Sequence, residues 1–349
     1  MPKLHSLLSL CIFSFSLIVA CTPAGDFPRN NSSKSASPEL CRLIQHEIGN
    51  TEVCGQPQKV AVLSPHILDN ILALGVQPAA YADSAESLIS TPLYENPSEQ
   101  IPYLGRWITT EPVAVGNRDS PSLERLTILQ PDLILGEHWQ KDKYALLSKI
   151  APTLLFNDAK NPTAPQSWQQ DIEGIAQALG RQAQAKALLV AHEKYIAKAR
   201  AALEPVLEAY PRILLIHSDL DAQVGIAIGS TTGRLLQEIG FEIVVPEGIT
   251  TDALVSWEII PQIETQMIMV FDWGDDYFTN PEAPRQEKWA RNPLLRSMPV
   301  FQQGRVFFVD HYLWGSHTRG PLSDQLILEA LPDLLLPSVQ PAKEVNSSA

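Results

Sequence analysis

Arginine and tryptophan fall together in several short stretches of this sequence: Arg106-Trp107, Trp139, Trp273, and Trp314 with Arg319 shortly after it. Indole rings supply broad apolar area, and guanidinium groups donate paired hydrogen bonds to carboxylate or hydroxamate oxygen. Together they suit a bulky, partly flat, anionic ligand. The plainer alternative makes Trp107 and Trp139 core residues and Arg106 a solvated charge. Histidines share these stretches: His66, His138, His217, His311 and His317. A transition metal needs three or four such donors converging, often with a carboxylate. No pair sits at i, i+4 on a helix, so direct metal ligation is the secondary reading and no metal site is assigned. Enzymatic chemistry has weaker support still. The chain has no Gly-x-Ser-x-Gly, no Walker sequence and no Gly-x-Gly-x-x-Gly after a strand. Gly229-Ser230-Thr231-Thr232-Gly233 has the form of an anion cradle, but reads more simply as the turn that caps a helix. No catalytic residue is assigned.

A second pattern occurs twice. Ser122-Leu123-Glu124-Arg125-Leu126 precedes Leu133-Ile134-Leu135, and Ser256-Trp257-Glu258-Ile259-Ile260 precedes Met267-Ile268-Met269 at a similar distance. Each copy places Ser where a helix N-cap belongs, Glu in the first turn and a short apolar strand after the helix. The helix dipole favours a first-turn Glu by about 0.3–1 kcal/mol, which accounts for one such Glu but not for its recurrence. Two half-domains presenting one carboxylate each suit a two-part partner with an arginine on each half.

The elements that position these residues alternate in type. Residues 59–63 read as a strand, 67–74 as a helix stopped by Gly75, and 76–81 as the next strand. The second half echoes this with a strand at 212–216, a helix at 233–239 stopped by Gly240, and a strand at 241–245. Such alternation predicts an α/β fold of two lobes, each with a mainly parallel sheet flanked by helices. Ligands of such sheets sit beyond the carboxyl ends of the strands, where the Trp, Arg and His loops are expected. A helical region begins near Ser167, with a break at Gly180. From 182 to 208 a stripe of Leu188, Ala191, Tyr195, Ala199 and Leu203 continues to Pro211. At 1.5 Å per residue that piece is roughly 40 Å long, enough to connect two lobes.

The ends set the setting. Lys3 and an apolar run from residue 7 to 20 resemble a secretory signal, and Ile18-Val19-Ala20-Cys21 resembles the lipobox of bacterial lipoproteins. That resemblance implies cleavage before Cys21 and a lipid on its sulfur, making the protein a periplasmic lipoprotein held to the membrane through that lipid. An ordinary signal with an incidental Cys is the other reading. Cys41 and Cys54 then remain, and in an oxidising compartment they read as a disulfide, with zinc the weaker alternative. The expected divisions are a signal at 1–20, a tether at 21–40, an amino-terminal lobe at 41–165, a helical region at 166–210, a carboxyl-terminal lobe at 211–338 and a tail at 339–349. A net charge of −13 over 349 residues argues against nucleic acid as a partner.

Several of these segments carry a family likeness: Lys59-Val60-Ala61-Val62-Leu63, the two Ser-x-Glu stretches, Gln130-Pro131-Asp132-Leu133-Ile134, and Gly304-Arg305-Val306-Phe307-Phe308-Val309-Asp310. The chain resembles the substrate-binding proteins of bacterial iron-siderophore ABC importers, a group that includes ferric citrate-, ferric hydroxamate- and vitamin B12-binding proteins. The stretch from Cys41 to Cys54, with Gln45-His46 and Gly49-Asn50-Thr51, looks like the cyanobacterial branch that handles ferric citrate-type ligands. The resemblance implies two lobes joined by one long helix (the class III periplasmic-binding-protein arrangement), a ferric chelate held between them, and no cofactor of the protein's own. It also implies a monomer whose Glu124 and Glu258 meet arginines on the two permease subunits. Ligand contacts are expected from Arg106, Trp107, Trp139, Trp273, Trp314 and Arg319. Few arginines lie in these loops, which leaves a hydroxamate or mixed-ligand siderophore, a corrinoid or haem beside ferric citrate.

Overall fold

The computed structural model describes residues 40–83, 97–156, 168–217, 223–249, 253–272, 289, 291–315 and 319–339. Cys21, Trp273 and His317 lie outside the described residues. The described chain begins with an antiparallel hairpin, β1 (Cys41–His46) and β2 (Gly49–Cys54), in which Cys41 faces Cys54 and a disulfide joins them. Its tip covers a sheet edge. The Glu47 N–H donates to the Leu155 carbonyl at 2.9 Å, and His46 Nδ1 accepts from the Leu155 N–H at 3.3 Å. Those are the backbone groups an unpaired edge strand would otherwise expose.

The amino-terminal sheet contains β3 (Val60–Val62), β4 (Ala80–Asp83), β5 (Val113–Asn117), β6 (Ser120–Pro121), β7 (Leu133–Glu137) and β8 (Thr153–Phe156) in the order β6-β5-β4-β3-β7-β8. All pairs are parallel except β5 with β6. Its strands are apolar on both faces, as two-sided burial requires. Val60, Val62, Leu133 and Leu135 enter one core, and Ala61, Leu63 and Ile134 the opposite one. Helix Pro65–Ala73 follows β3, capped by Ser64, whose Oγ accepts from the Ile67 N–H. After it, Gly75 (φ 74°) turns the chain, and the Val76 N–H bonds back to the Ile71 carbonyl. This helix-ending turn, followed by Pro78, delays the strand expected from residue 76 until Ala80.

The carboxyl-terminal sheet is mixed. It contains β9 (Arg212–His217), β10 (Gln223–Ile226), β11 (Glu242–Ile243), β12 (Ala253–Ser256), β13 (Met267–Asp272) and β14 (Val306–Asp310). The order is β12-β10-β9-β13-β14, with β11 alongside the start of β9. β9, β11, β13 and β14 run parallel, whereas β10 runs against both of its neighbours. Again the faces alternate: Ile213, Leu215, Met267 and Met269 on one side, Leu214, Ile216, Ile268 and Val270 on the other.

One helix of 28 residues, Gln182–Ala209, passes from lobe to lobe. At 1.5 Å per residue it is about 42 Å long. Near its start Ala185, Leu188 and Leu189 pack in the amino-terminal core; further on Ile196, Ala199, Leu203 and Val206 pack in the carboxyl-terminal one. In its middle the buried line runs through His192 and Ile196, one position on from the expected Ala191 and Tyr195. Helix Pro321–Leu335 packs along it and closes the back of the molecule.

Candidate functional site: the crevice between the lobes

The carboxyl ends of both sheets meet. Asp83 ends β4, and Tyr312 lies in the short helix His311–Trp314 after β14; the Tyr312 hydroxyl donates to Asp83 Oδ1 at 3.0 Å across the lobes. Tyr81 donates to the same oxygen at 2.6 Å. Burial, with the Asp83 charge beside it, pushes the Tyr81 phenol well above its ordinary range. Tyr103 stacks on Tyr312 with ring centroids 6.3 Å apart. Its backbone is left-handed (φ 57°), a conformation that costs a residue with a Cβ about 1–2 kcal/mol. Nearby, His217 at the end of β9 and His311 after β14 place their Nδ1 atoms 3.2 Å apart. One ring donates and the other accepts in that contact, so the two facing nitrogens share one proton.

Behind these groups lies a buried polar latch. His66 sits between two acceptors, with Nδ1 on the Arg319 carbonyl and Nε2 3.2 Å from Asp171 Oδ2. Burial opposes its charge, but the Asp171 hydrogen bond and the negative charges of Glu137 and Asp171 outweigh it and raise the imidazole pKa to about 9. One turn on, Asp69 accepts from the Leu322 and Ser323 N–H groups at 2.9 Å and from the Ser323 hydroxyl. It thus caps, from the amino-terminal lobe, a helix of the other lobe. Burial of Asp69 raises its carboxyl to about 6, against the pull of these donors. A Cβ at Gly320 would overlap the Asp69 carboxylate at 2.3 Å, so only glycine permits this approach.

Asp324 anchors the same latch. It accepts from Trp168 Nε1 at 2.7 Å, and its Oδ1 lies 2.9 Å from Arg319 Nε. That second contact is an ion pair without a directed hydrogen bond. The His192 ring links outward to Glu238 at 3.3 Å. Burial would raise the Glu238 carboxyl; the His192 hydrogen bond and the charges of His192, Arg319 and Arg234 instead hold it below its ordinary range.

The residues expected to touch ligand are thus dispersed. Trp139 stands at the carboxyl end of β7, 48% exposed, tilted against the His138 ring and beneath the Arg118 guanidinium. Arg106 is exposed and lies over Trp107. Trp107 is half-buried against the amino-terminal core, and its carbonyl accepts from Gln77, which leads into β4. Trp107 therefore sits toward the amino end of that strand, whereas Arg106 Nε donates to the carbonyl of Tyr103, beside the crevice, at 3.1 Å. Trp314 is buried in the carboxyl-terminal core, its carbonyl accepting from the Thr232 hydroxyl. Arg319 is only 4% exposed and belongs to the latch. His217 and His311 reach the crevice and His66 lies in the latch behind it, but among the described residues no metal-competent trio forms there; Cys41, Glu52 and Cys54 do cluster, yet the two sulfurs are bonded to each other. Sequence reasoning passed over Asp83, Tyr103 and Tyr312. A signal existed for Tyr312, which lies two residues after the end of β14, but Tyr103 shows itself only through its backbone.

Glu124 and Glu258 are both exposed at the starts of serine-capped helices. Ser122 Oγ accepts from the Arg125 N–H and Ser256 Oγ from the Glu258 N–H. The first helix, Leu123–Leu129, is α; the second, Trp257–Gln262, is 3₁₀ and includes Pro261, which has no N–H to extend it. Register places the two alike. Ser122 follows β6 on the outer edge of its sheet and bonds to Val115 near the end of β5; Ser256 ends β12 on the outer edge of the other sheet, beyond the level of His217. Each carboxylate therefore flanks the carboxyl-end face of its lobe.

Known proteins share this organisation. The Fe(3+)-citrate-binding protein YfmC of Bacillus subtilis is 27% identical over 316 residues, covering 89% of this chain and 91% of that protein. The Fe(3+) dicitrate-binding periplasmic protein FecB of Escherichia coli is 23% identical over 80% of this chain and 85% of its own. Among solved structures, Staphylococcus aureus SirA complexed with staphyloferrin B superposes with a TM-score of 0.66 at 21% identity, over 84% of this chain and 98% of that one. This likeness shows the shared fold of two α/β lobes on one long helix. A model of the periplasmic binding protein family matches residues 60–313, and the chain belongs to that family.

Proposed function

We propose that this protein captures a ferric chelate of the citrate or siderophore class between its lobes and delivers it, chemically unchanged, to an ABC importer. The observation that supports this most is the cross-lobe contact of Tyr312 with Asp83, which puts the loops of both sheets at one crevice. Relatives named for binding ferric citrate match most of the chain. The chelate's own oxygens satisfy the iron, so the crevice has to recognise a bulky, partly aromatic or anionic surface rather than a bare ion. Trp139 and the partly exposed Tyr103, which the buried Tyr312 ring backs from the other lobe, supply flat area for it.

Two further assignments complete the reading. Cys21 bears the lipid that holds the monomer at the membrane surface of the periplasm, with residues 21–40 as tether. Glu124 and Glu258, exposed on matching edges, meet arginines on the two permease subunits. Titrating the purified protein with ferric citrate, a ferric hydroxamate, a ferric catecholate, cobalamin and haem, read by tryptophan fluorescence, tests the ligand class. Saturable quenching by a ferric chelate at about micromolar concentration or below is expected. Quenching by none of the ferric chelates would sink the reading, and quenching by cobalamin or haem alone would replace it. Reversing both charges, Glu124→Lys with Glu258→Lys, should abolish uptake while leaving chelate affinity intact.

A further inference from the structure

The two acidic turns share more than a carboxylate. In each, the residue two places after the Glu is fully buried: Leu126 after Glu124 and Ile260 after Glu258. These anchors fix the turn to its lobe and direct the Glu outward. Each turn also presents an exposed isoleucine. Ile128, four residues after Glu124 and therefore on the same helix face, is 75% exposed; Ile259, next to Glu258, is 39% exposed and has exposed Leu254 on the preceding strand. Single exposed apolar residues are ordinary on a protein surface. Their pairing with a carboxylate at corresponding edges of two lobes is not explained by that. Among the described residues neither Glu124 nor Glu258 joins an ion pair. Arg125 turns back to its own sheet, donating to the Ala114 carbonyl.

We infer that each turn is a two-part plug, the Glu reading a cation on one permease subunit and the isoleucine beside it entering an apolar recess next to that cation. The inference rests on the docking reading above and deepens it. Exposed ion pairs contribute specificity and encounter rate more than lasting affinity, so two carboxylates alone would hold a partner briefly. Buried apolar contacts at the centre of an interface slow dissociation. The charge pattern selects the occupant. An anionic lipid surface repels the carboxylates of a chain with net charge −13, and a second copy docking through this face would oppose Glu to Glu. A cationic, apolar-rimmed protein surface matches both halves of the plug.

The test uses full-length protein and its cognate importer reconstituted in nanodiscs, with association and dissociation followed at low and high salt. Ile128→Ser with Ile259→Ser should speed dissociation roughly tenfold or more at both salt concentrations. Chelate affinity should stay as in the unmodified protein, and Ile128→Ser alone, at the 75% exposed site, should speed dissociation with the melting temperature unchanged. Glu124→Gln with Glu258→Gln should instead slow association and remove most of its salt dependence. Val190→Ser, at a 52% exposed apolar site on the long helix, is the control and should change neither rate. If the isoleucine variant dissociates like the unmodified protein while the glutamine variant binds poorly, the apolar half is wrong and the docking reading stands. If the glutamine variant also binds normally, the docking reading falls and takes this inference with it.

Discussion

Two polar regions lie at the junction of the lobes, and they differ in how their groups are satisfied. In the latch, Asp69, Asp324 and His66 lie away from water and are matched by other groups of the protein, with the partly exposed Asp171 beside His66. At the crevice rim, Trp139 is half in solvent and Tyr103 partly so, stacked across the seam on the buried Tyr312 ring. A buried network anchored by several hydrogen bonds fixes geometry, with the Arg319 guanidinium held in it by charge alone; rings left partly bare at the mouth of a crevice have surface to give to a ligand. The latch thus holds the lobes and the rim meets the cargo. The long helix and the latch together favour small relative motion, because opening would strand several buried charges at once.

Asp324 offers the strongest way to break that division. Asp324→Ala removes the partner of Trp168 Nε1 and leaves the Arg319 charge buried and uncompensated. A loss of about 3–5 kcal/mol in unfolding free energy is expected, read from chemical denaturation. Because Arg319 is 4% exposed, Arg319→Met should also act on stability. If either variant unfolded like the unmodified protein but bound chelate poorly, the latch would belong to the ligand site after all.

The next effect is on pH. His66 titrates at about 9 in the folded protein, above its unfolded value near 6.5. The folded state therefore holds this proton more tightly, and the stabilisation is fully present below pH ~6.5 and lost as pH rises toward 9. Its size is on the order of 3 kcal/mol. Asp69, raised to about 6, acts with the same sign at lower pH: its burial costs most above 6, and stability recovers as pH falls from about 6 toward 4. Unfolding free energy measured between pH 6.5 and 9 should decline in the unmodified protein and stay nearly flat in His66→Gln. An equal decline in both would remove His66 from the account.

Much of this architecture is legible in the sequence, and the reasons for the remainder are physical. Apolar runs and helical spacing locate β3, β7, β9, β13 and the helix Gln182–Ala209, since burial on both faces of a sheet or along one helix stripe leaves a periodic trace. The serine caps at Ser122 and Ser256 are equally readable, because the cap is chemistry within four residues. The latch is not readable. Its bonds join residues some 250 positions apart, such as Asp69 with Ser323, and no local pattern records them. Residue type also misleads at the site: Trp314 and Arg319 have the composition of a binding loop, but a core and an ion pair claim them first. The antiparallel β10 is missed because alternation of strands and helices speaks for parallel pairs alone.

Smaller effects separate the rim from the latch more finely. Tyr312→Phe deletes one cross-lobe hydrogen bond while Tyr81 still serves Asp83, so a loss of only about 0.5–1.5 kcal/mol is expected. Trp139→Ala should change stability by no more than about 0.5 kcal/mol, since its ring packs on His138 and under Arg118 at the surface rather than in either core. Its consequence should appear in chelate affinity, weakened about threefold to tenfold in the fluorescence titration or by calorimetry, the loss of one aromatic contact worth about 0.5–1.5 kcal/mol. Destabilisation by 2 kcal/mol with unchanged affinity would make Trp139 part of the scaffold and move the rim elsewhere along the seam. The opposite pattern, lost affinity with intact stability, would fix the mouth of the crevice at the carboxyl end of β7.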